Sequence, residues 1–124
     1  MSRSALRFVV TGVGATAVHA LVVFLLLWLA RFSYASANLV ASLTATLFSY
    51  LVNTLWSFEQ RVSAANAWRF CTVALFGALL AGLVAGACEA AGWSAGAAIL
   101  AVVAVVTPLT YLLHRSWTFA PAQR

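Results

Sequence analysis

Few side chains in this sequence can do chemistry, and most of the familiar combinations are missing. The carboxylates are Glu59 and Glu89, the imidazoles His19 and His114, the thiols Cys71 and Cys88. No carboxylate pair, nucleophile with a base, or metal-binding cluster can be drawn from that set, so the chain is expected to be no enzyme, with no catalytic residue, no metal and no cofactor. On one helix Cys71 and Cys88 would stand about 25 Å apart, too far for a disulfide; without partners at metal-ligand spacing they read as small apolar fillers. What remains is hydrogen-bonding chemistry at helical spacing. Asn38, Ser42, Thr46, Ser49 and Asn53 fall on one helical face, Thr16 and His19 follow Gly12 on another helix, and Thr107, Thr110 and His114 repeat the pattern late in the chain.

The elements that carry these residues are read from the charges. With 65% of residues hydrophobic and 7% charged, one small water-soluble core could not hide the apolar surface. Four uncharged stretches, 8–30, 32–58, 70–88 and 90–114, each reach the roughly 20 residues that cross about 30 Å of hydrocarbon. The expected fold is therefore an all-α membrane protein, a single domain over 1–124 with transmembrane helices near 8–30, 36–56, 69–90 and 94–114. The net charge of +5 would suggest nucleic acid in a soluble domain, but the arginines do not gather on one face with interleaved aromatics, so no nucleic acid partner is expected. Threading the helices puts Arg3, Arg7, Arg61, Arg69, Arg115 and Arg124 on one side and Arg31 on the other. The positive-inside rule then makes both termini and the 57–68 loop cytoplasmic, with the 31–35 and 89–93 turns outside. Ala35-Ser36-Ala37 mimics a signal-peptidase site, but the apolar run before it is longer than a signal sequence's.

The chain is written twice. Tyr50-Leu51-Val52-Asn53-Thr54-Leu55-Trp56-Ser57-Phe58 matches Tyr111-Leu112-Leu113-His114-Arg115-Ser116-Trp117-Thr118-Phe119 in its Tyr, Leu, Trp and Phe, 61 positions on, and Arg7-Phe8 recurs as Arg69-Phe70. The unit is a helical hairpin, giving halves 1–60 and 61–124 of equal orientation, as in parallel-repeat membrane proteins, with an interface or cavity between the halves. Trp56 and Trp117 fall where the second and fourth spans leave the membrane, either as plain interfacial anchors or as part of a site with the polar residue three positions before each.

Inside lipid a polar side chain must face protein or a wet cavity. The stripe on the second span is expected to do so, although Ser and Thr can also return a hydrogen bond to the preceding turn of their own helix. His19 either lines a pocket or is paired within the fold. Pro108 removes a backbone hydrogen bond and should bend the fourth span. Ala78, Gly82, Gly86 and Ala90 form a small-residue stripe on the third span, a packing face for the first span, the fourth or a second subunit. Arg31 and Glu89 stand at the outer side, in the headgroups or paired with each other.

These residues resemble the GtrA-like membrane proteins, small four-helix proteins of bacterial cell-surface polysaccharide pathways. The resemblance rests on Arg7-Phe8-Val9-Val10-Thr11-Gly12 with Thr16 and His19, on Asn38, on Asn53, Trp56 and Phe58, on Arg69-Phe70, and on Arg115, Trp117 and Phe119, and it covers nearly the whole chain. The family often has a basic residue where Thr54 stands and asparagine or serine in place of His114. The resemblance implies a multi-pass protein of the bacterial cytoplasmic membrane that flips a polyprenyl-phosphate-linked sugar for extracytoplasmic glycosyltransferases. Its phosphodiester would be held by Arg7, Arg69 and Arg115 as bidentate donors, with Asn53, His114, Trp56 and Trp117 beside them. The sugar would cross along Thr16, His19, Asn38, Ser42, Thr46, Ser49, Thr107 and Thr110, and the chain would form a homo-oligomer because four short helices enclose little volume.

Two other readings compete. As an adaptor, the chain would recruit or stabilise a membrane glycosyltransferase through the third-span stripe. A small multidrug-type exporter would need an acid within the first span, and none is present there.

Overall fold

The computed structural model describes residues 2–121; Arg124, counted above among the cytoplasmic arginines, lies outside them. All regular structure among the described residues is helical. Four helices are long and apolar enough to span a bilayer: α1 (Arg3–Trp28), α2 (Tyr34–Val52), α3 (Ala64–Ala90) and α4 (Ala95–Leu113). The chain is a multi-pass membrane protein. α2 and α4 each run on into five residues of π-helix, Asn53–Ser57 and His114–Thr118.

Every helix begins on a serine. Ser2, Ser33, Ser63 and Ser94 accept a hydrogen bond from the backbone N–H three residues on, and at Ser63 the amide of Asn66 returns a bond to complete a capping box. A capping hydroxyl satisfies one of the free N–H groups of a first turn, which stabilises the helix by about 1 kcal/mol. These caps explain why α1 and α3 begin several residues before the spans expected at 8 and 69. An arginine marks where the chain meets the headgroups, whereas the cap marks where the helix starts. With 26 and 27 residues, α1 and α3 reach about 40 Å, longer than the hydrocarbon they cross.

The chain divides into two compact units, Met1–Val62 and Ser63–Arg124. In the first, α1 packs on α2; in the second, α3 packs on α4. Because the connecting turns are short, each pair is an antiparallel hairpin. The first turn closes with Phe32 N–H donating to the Leu26 carbonyl (3.1 Å) around Arg31, whose φ is 53°. The second places Gly92 at φ 77°, where glycine has no Cβ to clash.

Each hairpin is inside-out by soluble standards. Leu21, Phe24, Leu83 and Leu100 point outward, as expected when hydrocarbon is the solvent. The α2 seam is Ala37, Ala41 and Ala45, all buried, a small-residue row on which α1 lies closely. In the second unit α3 turns Phe70, Val73, Gly77 and Cys88 inward. Its stripe of Ala78, Gly82, Gly86 and Ala90 stays exposed, with open space where a Cβ would be added at either glycine. Of the partners expected for that stripe, α4 is therefore excluded: Gly77, one position earlier, takes the close contact instead. The α-helix continues through Pro108.

Candidate functional site

Both hairpins end in the same local device, built from the start of one helix and the π turn that closes the other. In a π turn the N–H reaches back five residues rather than four, and Phe58 bonds the Asn53 carbonyl (2.9 Å) as Phe119 bonds that of His114 (2.8 Å). Such turns occur mostly as single insertions, often at functional sites. The last carbonyls of a helix lack an intrahelical donor and carry the negative end of its dipole. Here an arginine from the neighbouring helix supplies the donor. Arg7 Nη1 donates to the Trp56 carbonyl (2.9 Å), and Arg69 Nη1 to that of Trp117 (3.2 Å).

The indoles complete the arrangement. The Arg7 guanidinium lies 5.4 Å from the Trp56 ring centre, and that of Arg69 lies 5.7 and 5.9 Å from Trp68 and Trp117, which meet edge to face. Cation–π contact holds a guanidinium at a headgroup-depth surface without consuming its N–H donors. Arg7 is also paired with Glu59 Oε1 at 2.5 Å.

Beneath each arginine is a small buried polar cluster. In the first unit Thr11 Oγ1 bonds the Arg7 carbonyl (2.9 Å) and meets Ser57 Oγ at 3.3 Å. Asn53, 1% exposed, donates from Nδ2 to Ser49 Oγ (3.1 Å), and its Oδ1 is buried without a hydrogen-bond partner. In the second unit His114 occupies the place of Asn53. Its Nδ1 lies 3.0 Å from Thr118 Oγ1, and its ring stacks on Phe70 at 4.5 Å between centres, with Phe119 alongside. In this unit a flat ring lying on the face of Phe70 stands where the first unit has an amide.

The residues expected to hold a headgroup thus fall at two exits. Arg7, Asn53 and Trp56 share one; Arg69, His114, Trp117 and the exposed Arg115 share the other. The expected polar pathway is less continuous. Thr16 is exposed and bonds the Gly12 carbonyl of its own helix (3.0 Å); Thr46 and Thr110 likewise return to Ser42 (2.7 Å) and Val106 (2.8 Å). Asn38 is exposed, while Ser42, Thr46, Ser49, His19 and Thr107 are half-buried. Within the first hairpin these residues flank the alanine seam rather than line it. Arg31 and Glu89 are exposed, each at the turn end of its own unit.

Reasoning from sequence missed Thr11, Ser57, Thr118 and the return of Glu59 to Arg7. The hydroxyls left a signal: Trp-Ser-Phe and Trp-Thr-Phe keep a hydroxyl residue between the aromatics in both halves.

Fold and site together define a polytopic helical membrane protein whose two hairpins each close on an arginine-capped π turn. The family model for the GtrA/DPMS transmembrane domain matches residues 7–119, and the chain belongs to that family. The match opens on Arg7 and closes on Phe119, the outermost elements of the two exits. No curated protein and no solved structure matches the chain. Membership associates it with glycosyl-lipid-related membrane processes.

Proposed function

We propose that this protein moves a polyprenyl-phosphate-linked sugar across the bacterial cytoplasmic membrane for cell-surface glycan synthesis, with both termini cytoplasmic. The observation that carries the reading is the pair of guanidinium groups, Arg7 and Arg69, held at the helix exits by carbonyls and indoles in a chain of the GtrA/DPMS family. A lipid phosphodiester is an anion fixed at headgroup depth, and an arginine presents a fork of N–H donors to it. Arg115, exposed in the second π turn, adds a further positive charge. The polar edges of α2 and α4 offer hydroxyl and amide groups to a sugar, while the prenyl tail stays in lipid.

Because the α2 seam is filled by alanines, the path runs along outward helix faces and needs a second surface to enclose it; a homo-oligomer supplies one. The chain holds and moves its ligand without transforming it. Its acids are two, and Glu59 is engaged by Arg7.

Reconstitution in vesicles with a polyprenyl-phosphoryl sugar tests this. The protein should accelerate movement of the lipid between leaflets, and Arg69→Gln or Arg115→Gln should slow it about tenfold, the worth of a charge-assisted hydrogen bond. Movement no faster than in protein-free vesicles would end the transport reading.

The adaptor reading is favoured by one observation, the open stripe of Ala78, Gly82, Gly86 and Ala90 on α3, a surface on which a helix of a glycosyltransferase could lie. The vesicle assay separates the two, since an adaptor moves no lipid without its enzyme.

A further inference from the structure

The two exits share one architecture and differ in charge. At the first, the arginine held against the helix end already has an anion: Glu59 reaches Arg7 Nη1, which also bonds the Trp56 carbonyl. Glu59 is fixed there by an uncommon backbone. Its φ is 53°, in the left-handed region, and Gln60 N–H closes the turn on the Thr54 carbonyl at 2.7 Å. For a residue with a Cβ this conformation is strained, and such strain persists where the surrounding structure imposes it.

At the second exit the position 61 residues on is Ala120. Arg69 makes the matching bond to Trp117, lies against two indoles, and keeps a buried Nε without a hydrogen-bond partner. Arg115 stands where the first unit has the buried Thr54 and is exposed. Arg3 and Arg61 also belong to the first unit's end, but the guanidinium in the capping position there is matched by a carboxylate and, among the described residues, the one in the second unit is not.

We propose that the second exit, around Arg69, is the seat of a lipid phosphate headgroup, and that Glu59 fills the equivalent seat at Arg7 as a built-in counter-anion. The ligand class rests on the transport reading above; the choice between the exits does not. A phosphate on Arg69 finds donors already oriented by the Trp117 carbonyl and the indole faces, with no carboxylate among the described residues to displace. A phosphate on Arg7 must first expel Glu59. One chain therefore takes its first anionic lipid at its second half.

The test is native mass spectrometry of the full chain in micelles, titrated with a polyprenyl monophosphate. The wild type should bind a first lipid per chain about two- to fivefold more tightly than a second. Arg69→Gln should weaken binding about tenfold or more. Ala120→Glu, which keeps Arg69 and its bond to Trp117, should weaken it about two- to fivefold, the strength of an exposed ion pair. Glu59→Gln should tighten the second binding event about two- to fivefold, and that gain should vanish in the double variant Arg7→Gln, Glu59→Gln. Unchanged helix content by circular dichroism separates these effects from unfolding. If Glu59→Gln leaves the second binding event unchanged and Ala120→Glu leaves the first unchanged, the assignment of the exits is overturned, whatever the protein transports. Phosphatidylglycerol binding equally well, with the same dependence on Arg69, would keep the seat and overturn the lipid-linked-sugar reading. Inorganic phosphate displacing the lipid at equal concentration would overturn a lipid as the source of the anion.

Discussion

His114 shows how much a single side chain holds at these exits. It is 3% exposed, stacked on Phe70 and within hydrogen-bond reach of Thr118, so it joins the first turns of α3 to the π turn that ends α4. Its replacement by alanine removes the ring contact and leaves a buried hydroxyl short of a partner, a loss of about 2 kcal/mol. His114→Asn should recover part of this, because Asn53 occupies the matching place in the first unit and bonds within its own helix. Unfolding in mixed micelles, followed by circular dichroism, should rank wild type above His114→Asn above His114→Ala. Asparagine no better than alanine would mean that the polar bond contributes nothing and the ring contact everything. Thr11 and Ser57 belong to the same scale. Ser57 continues the α2 stripe four positions past Asn53 while Thr11 falls on no stripe, and only the approach of α1 to the first π turn joins them.

Among the elements, α3 decides what each of its faces can meet. A Cβ added at Gly77 would stand 2.9 Å from Thr110 Cγ2, and Thr110 has little freedom to turn away because its hydroxyl bonds the Val106 and Thr107 carbonyls. Gly77→Ala should therefore cost about 1 to 2 kcal/mol through overpacking. Thr110→Ser removes the offending methyl and keeps the hydroxyl, so the double variant should regain most of the loss. Gly86→Ala, with open space around it, should leave the unit's own stability unchanged or slightly raised by helix propensity. The same unfolding measurement checks all three, and equal losses at Gly77 and Gly86 would contradict this account of the α3–α4 contact.

This scale also explains what could be foreseen. Four helices were legible because apolar runs between charged residues are long, and the exits were legible because Trp and Phe recur 61 positions apart. The π turns were not. They differ from α-helix by a shift of one residue in bonding, a small energy that tertiary contact with Arg7 and Arg69 decides. Nor could spacing choose between two adjacent small-residue rows: Ala78, Gly82, Gly86 and Ala90 look as suited to packing as Gly77 does, and only the side chains of α4 distinguish them. Glu59 was placed in a cytoplasmic loop, since nothing in a glutamate's identity announces a left-handed backbone that carries it back to a helix end.

At the scale of the molecule, the two hairpins end in similar arginine-capped exits that differ in charge. One is closed by the chain's own carboxylate and one is left with a guanidinium, two indoles and a neighbouring arginine. The arginine-capped exit is the part on which the proposed transport and the proposed ligand class both depend. A structure of the protein bound to a polyprenyl-phosphoryl sugar examines it most directly: the phosphate should lie within about 3 Å of the Arg69 guanidinium, with Glu59 still on Arg7. A phosphate seated away from both arginines, with the lipid lying along the open small-residue face of α3, would contradict it.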